Sequence, residues 1–222
     1  MSFFDLLRES WPKLLQGLAI TLQLTVISLI VATCIGLLCG LLSISKNRFL
    51  RSIAGFYISI FRGTPMIVQA MFIYFGITGA TGINMSAYTA GLITLALNAG
   101  AYISEIFRGG IQSVSPGQME AARSLGLSHS MSMVRVVLPQ AIRMMIPALI
   151  NQYIITLKDT SIISVIGVRE LTQSGKLIIA SNFRSAEIWF TVGFMYYVTV
   201  YILSKIGRLI ERRMSYVQSK NK

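Results

Sequence analysis

Residues 115–139 read SPGQMEAARSLGLSHSMSMVRVVLP, a polar island in an otherwise apolar chain. Apolar stretches long enough to cross a bilayer flank it, yet the island itself is built as two short helices joined at a glycine. Ser115 suits an N-cap. Pro116 suits the first helical position, where its missing N–H costs nothing, and Gln118 completes a capping-box pattern three residues after the cap. Glu120, Ala121, Ala122 and Arg123 carry that helix to Gly126, a natural left-handed stop. Ser128 can cap a second helix running towards Leu138, and Pro139 tends to end or kink it. Between membrane spans, a helix–turn–helix with a small-residue face is suited to docking against another protein. The plainer alternative is a solvated loop with local helicity.

The 222-residue chain is 54% hydrophobic and 13% charged, with a mean hydropathy of +0.65. A soluble domain carries about twice that charged fraction, so a membrane protein is expected. The net charge of +12 does not point to nucleic acid, because the basic residues lie between and after apolar runs and form no stripe. They read as cytoplasmic anchors to anionic lipid. Cys34 and Cys39 are five apart in one apolar run and point to different helix faces, so neither a disulfide nor a metal site follows. His129 is the only histidine, and no metal or cofactor is expected.

Outward from the island, the chain divides into an interfacial segment (1–16), a transmembrane region (17–209) and a basic cytoplasmic tail (210–222). The first segment mixes Asp5, Arg8, Glu9 and Lys13 with apolar residues and Trp11, the pattern of an amphipathic surface helix. No cleavable signal is evident. Spans are expected at about 17–43, 52–77, 87–107, 143–168 and 188–209, with a coupling loop at 108–142. In the first span, Gly36 and Gly40 would let another helix approach closely, or are merely tolerated there. The second is interrupted by Arg62-Gly63-Thr64-Pro65, which frees backbone polar groups that a protein interface or cavity must satisfy. Arg62 either sits at that depth with a function or snorkels to the surface.

The third span holds Asn98 and Tyr102, four apart on one face, where an interhelical bond and a substrate contact are both open readings. The fourth carries Gln152 and the adjacent Lys158 and Asp159, which cannot face each other and would need separate partners or a zwitterion. Residues 169–187 read as an external loop with an interfacial helix. Five spans put the termini on opposite sides. With the N-terminus outside, and Arg62 counted on neither side, thirteen Lys and Arg fall on the cytoplasmic side and six outside. Positive-inside therefore favours a multi-pass cytoplasmic-membrane protein with its C-terminus and residues 108–142 in the cytoplasm.

EAARSLG, followed after nine residues by Val136-Val137-Leu138-Pro139, resembles the EAA motif of permeases from binding-protein-dependent ABC importers. Its positions match at Glu120, Ala121, Ala122, Gly126, Leu138 and Pro139, with Val136 where the pattern usually has Ile. FRGTP followed by Val68-Gln69, and ITLKDTSIIS, are similar to the polar amino-acid group of that family. The resemblance implies an all-α membrane protein with five transmembrane helices and a cytoplasmic coupling helix (ABC importer permease type, MetI-like). It also implies an ATP-binding cassette ATPase dimer, an external amino-acid-binding protein and a second permease subunit, as a homodimer or heterodimer.

The chain has no Gly-x-x-x-x-Gly-Lys-[Ser/Thr] loop of its own, so energy must come from a docked partner and no catalytic residue is expected. Candidate substrate contacts are Arg62, Thr64, Asn98, Tyr102, Gln152 and Asp159, with a neutral or zwitterionic solute such as glutamine or cystine favoured. The competing class is an ion-coupled secondary amino-acid transporter, which would explain the membrane charges but not a capped cytoplasmic motif. An intramembrane enzyme lacks a nucleophile motif, a carboxylate pair and a metal cluster. A basic lipid-binding scaffold is the remaining alternative.

Overall fold

Hydrocarbon offers no partner to a peptide N–H or C=O, so the uncharged run from Leu14 to Ser45 can cross it only as helix. The computed structural model describes residues 3–219, and every regular element among them is helical. In order these are α1 (Phe3–Ser43), α2 (Arg48–Gly63), α3 (Met66–Thr81) and α4 (Ala87–Gln112). They continue as α5 (Pro116–Ser124), α6 (His129–Ile166), α7 (Leu171–Asn182) and α8 (Ser185–Ser219). Helices α1, α4, α6 and α8 are each long and apolar enough to span a bilayer. The pair α2 and α3, bent by 105° at residues 64–65, makes a fifth, broken span.

The packing centres on α1 and α4, the most extensively paired helices. They run parallel: a Cβ on Gly36 would lie 2.5 Å from Ile103 Cγ2 and 3.1 Å from the Gly100 carbonyl, and one on Gly40 only 2.8 Å from Phe107 Cβ. The glycines thus permit near-backbone contact, the tighter of the two readings the sequence allowed. Tyr57 Oη donates to the Leu97 carbonyl at 2.6 Å, tying α2 to α4, and the Thr33 and Tyr153 hydroxyls meet at 3.1 Å between α1 and α6.

Several boundaries differ from expectation. Residues 3–16 are no separate segment but the first turns of α1, continuous through Pro12. Leu6 and Leu14 of that stretch are buried against Leu171, Ile178, Ile188 and Val192, so protein covers part of its apolar surface, while Phe4 and Trp11 stay exposed. The expected loop 169–187 contains α7, whose Leu171, Ser174, Gly175 and Ile178 are buried among α1 and α8. Glu170, fully buried, caps α7: its carboxylate accepts from the Thr172 and Gln173 backbone N–H groups at 2.9 and 2.7 Å and from Tyr196 Oη at 2.8 Å. Burial pushes this carboxyl above its ordinary range, against the pull of those donors. Of the basic tail, residues 210–219 extend α8, and 220–222 lie outside the described residues.

Replacing Gly36 by Leu should overpack the α1–α4 crossing and destabilise the permease by about 1–3 kcal/mol. Thermal unfolding of detergent-purified protein measures this. Gly55→Ala, inside α2 with open space where its Cβ would lie, should leave the midpoint unchanged or raise it slightly, since Ala favours a helix interior over Gly by about 0.5–1 kcal/mol.

Candidate functional site

Two places depart from plain spanning helix, and both lie where the sequence is least apolar. The first is the island. Pro116 opens α5, but Ser115 makes no side-chain cap bond. The expected capping box does not form, because the Gln118 side chain faces another helix: Gln140 Nε2 of α6 approaches Gln118 Oε1 at 3.4 Å and also donates to the Val136 carbonyl at 2.9 Å. The glycine stop is as expected. Gly126 has φ +86°, the Gly126 N–H donates to the Arg123 carbonyl at 3.0 Å and the Leu127 N–H to the Ala122 carbonyl at 3.3 Å, a full Schellman closure. Ser128 Oγ then accepts from the Met131 N–H at 3.3 Å and caps α6.

Pro139 does not end that helix. A π segment, Met133–Val137, precedes it, and the chain continues helically to Ile166. A proline ring clashes with the carbonyl four residues back, here that of Arg135, and widening the preceding turn relieves the clash. Below the island, Ile111, Val114, Val137, Ala141 and Met145 form a buried cluster that includes the half-buried Met119, Met133 and Leu138 at its edge. Ala122 faces inward at 4% exposure, whereas Glu120, Ala121, Arg123, Gly126 and Pro139 are exposed and Leu125 is 84% exposed. The motif thus presents an outward surface on a rigidly seated base.

The second place is the break between α2 and α3. Thr64 is extended (φ −121°, ψ 145°) and Pro65 starts the next helix without a donor. The freed groups are satisfied by Gln69, buried at 7% exposure, whose Nε2 lies 3.0 Å from the Phe61 and Thr64 carbonyls and 2.9 Å from Thr64 Oγ1. Asn98 of α4, equally buried, donates to Gln69 Oε1 at 2.9 Å and approaches the Phe61 carbonyl at 3.3 Å. Arg62 leaves the same break for α4, pairing with Glu105 at 3.2 Å and lying over the Tyr102 ring at 5.4 Å. Glu105 also accepts from Arg108 Nε and Nη2 at 2.9 and 2.8 Å.

Four expected contacts, Arg62, Thr64, Asn98 and Tyr102, therefore belong to one cluster around the break. Gln152 and Asp159 lie on α6, outside this hydrogen-bonded network. Gln152 is buried, its Nε2 3.5 Å from Thr156 Oγ1. Asp159 is half-buried with no ion pair among the described residues, and Lys158 beside it is exposed. No hydrogen bond or ion pair links the two groups. Sequence reasoning overlooked Gln69 and Glu105 as site residues. Gln69 was within reach, since a lone amide in an apolar run directly after Arg62-Gly63-Thr64-Pro65 is a natural partner for the groups that break frees.

Residues 32–216 match the family described as binding-protein-dependent transport system inner membrane component. The chain is 44% identical over 204 residues to the glutamine transport system permease protein GlnP of Escherichia coli (strain K12), covering 91% of this chain and 93% of that protein. It is 38% identical over 203 residues to the arginine transport system permease protein ArtQ of Bacillus subtilis (strain 168), at 91% and 93% coverage. The crystal structure of an amino acid ABC transporter with histidines superimposes with a TM-score of 0.91 at 40% identity, over 96% of this chain and 99% of that chain. The inward-facing MetNI methionine transporter shares the fold at a TM-score of 0.78 and 22% identity, over 91% and 96%.

A five-span helical chain with a seated, outward-facing loop thus belongs to the family of inner-membrane components of binding-protein-dependent transport systems. It is a permease subunit of an ABC importer and not an enzyme; ATP hydrolysis belongs to a separate subunit, and a substrate-binding protein is the other partner class. This excludes the intramembrane enzyme and the lipid scaffold, and decides against ion-coupled transport.

Gln69→Leu should strand the Phe61 and Thr64 carbonyls and the Asn98 amide. We expect a loss of about 1–3 kcal/mol in stability, read as a lower thermal midpoint in detergent, with transport falling in reconstituted vesicles.

Proposed function

We propose that this permease carries a polar amino acid, neutral or zwitterionic, by alternating access around a midplane site made by Arg62, Thr64, Asn98, Tyr102, Gln152 and Asp159. One observation carries the reading: α6 runs unbroken from the capped elbow at Ser128 past Gln152 and Asp159. Thirty residues of helix at 1.5 Å rise make a lever about 45 Å long. A docked ATPase that moves the elbow, through Glu120, Ala121, Ala122, Gly126, Leu138 and Pro139, displaces those two side chains as part of the same rigid body. Asp159, free of an ion pair, is available to a substrate ammonium. Arg62 could offer a carboxylate its guanidinium by exchanging away from Glu105.

The likeness to a glutamine permease at 44% identity, above the 38% to an arginine permease, supports a solute without net positive charge. Five spans enclose a solute path poorly, so two permease subunits pack around it, each docking one ATPase of a dimer. The N-terminus lies outside and the C-terminus in the cytoplasm. The charge count supports this, as does the parallel run of α1 and α4 towards the end where the coupling loop begins.

Asp159→Asn should cut uptake about tenfold or more, the worth of one charge-assisted bond, while the ATPase subunits still assemble. Unchanged uptake would remove Asp159 from the site. Gly126→Val places a β-branched residue at φ +86°, a conformation costing such residues about 1–2 kcal/mol. ATP hydrolysis in that variant should continue without transport, and normal coupling would sink the lever. Calorimetric titration of an amino-acid panel against the cognate binding protein tests the cargo class.

A further inference from the structure

At the end of the bundle opposite the coupling loop, the start of α1 and the start of α7 enclose a cleft of about 550 Å³. Its wall carries two cations, Lys13 and Arg169, together with the polar Gln16 and Ser174 and the apolar Ile20 and Leu177. The cleft exists because Gly17 has no side chain. A Cβ there would overlap Ser174 Oγ and sit 3.0 Å from the Leu171 Cα, so α7 crosses α1 at backbone distance. That crossing puts Arg169, two residues before Leu171, and Lys13, one turn before Gly17, on the wall of one cleft.

The pair is electrostatically incomplete. Among the described residues neither Lys13 nor Arg169 has an ion pair or hydrogen bond, although both are exposed and line one cavity. The nearest carboxylate in sequence to Arg169, that of Glu170, is turned inward to cap α7. Two like charges facing one concavity repel unless an anion lies between them, and a phosphate with several acceptor oxygens serves both at once.

Position says what presents that phosphate. Lys13 is the last charge before the uncharged run that begins at Leu14, and Trp11, 46% exposed, stands half a turn away. An interfacial tryptophan beside a cation at the edge of an apolar run marks headgroup depth. Leu177, 48% exposed, and Ile20 continue the cleft with an apolar flank, which suits an acyl chain and gives nothing to a free ion.

We propose that this cleft binds the phosphate headgroup of an anionic phospholipid, bridged by Lys13 and Arg169. The site is separate from the solute path and does not rest on the identity of the cargo. The test uses the purified importer complex, delipidated and titrated with phosphatidylglycerol, phosphatidylcholine or inorganic phosphate, with bound species counted by native mass spectrometry. Phosphatidylglycerol should be retained on each permease subunit, and phosphatidylcholine should not.

Lys13→Gln with Arg169→Gln should weaken phosphatidylglycerol retention on the order of 10- to 30-fold, at about a factor of five for each hydrogen-bonding cation lost. The charge-keeping Lys13→Arg with Arg169→Lys should bind as the parent does, and an unchanged thermal midpoint confirms folding. Equal retention by the parent and the double glutamine variant would overturn the proposal. So would millimolar inorganic phosphate displacing the lipid completely, which would make this a free-anion site. Weakened docking of the binding protein with lipid retention unchanged would also overturn it, and would assign the cations to an acidic protein surface.

Discussion

A peptide carbonyl without a partner is too costly to leave in hydrocarbon, and this fold contains one span that creates several. Where Gly63-Thr64-Pro65 breaks the second crossing by 105°, the amide of Gln69 gathers the Phe61 and Thr64 carbonyls, and Asn98 of α4 holds Gln69 in place. The break is therefore a built joint pinned to the neighbouring span. It also aims Arg62 at Glu105 and Tyr102, so the same irregularity that threatens the backbone sets charged side chains against α4.

The joint and the elbow work on a shared frame. The α1–α4 crossing, tight at Gly36 and Gly40, supplies a stiff centre. On one side α2 and α3 hang from α4 through Tyr57 and Asn98. On the other, α6 leans on the buried cluster around Ile111, Ala141 and Met145 and carries the Schellman-closed elbow at its end. Packed helices of this kind move as bodies and do not bend continuously, which is what a subunit driven by an external ATPase needs.

Much of this was legible in the residues. Gly126 announced its left-handed turn because only a residue without Cβ enters that region freely, and Ser128 announced its cap because its hydroxyl reaches only a few residues ahead. Features of longer reach were misread or left open. Gln118 looked like half of a capping box, but Gln140, twenty-two residues on, draws its side chain away. Pro139 was expected to end or kink its helix, and a π segment just before it keeps the helix whole. Residues 3–16 looked amphipathic because they are, but α7 and α8 cover the side that carries Leu6 and Leu14 and leave Phe4 and Trp11 exposed.

The sequence by itself determined the helical class, the number of crossings and the capped elbow, because each rests on composition or on interactions within a few residues. Only the tertiary structure decided what completes the broken span, which glycines bring backbones together, and that Arg62 and Asn98 meet at one break. Those outcomes depend on how helices lie across one another. Gln69 and Asn98 are twenty-nine residues apart, and no local rule relates two side chains at that separation until the crossing of α3 and α4 brings them within bonding distance.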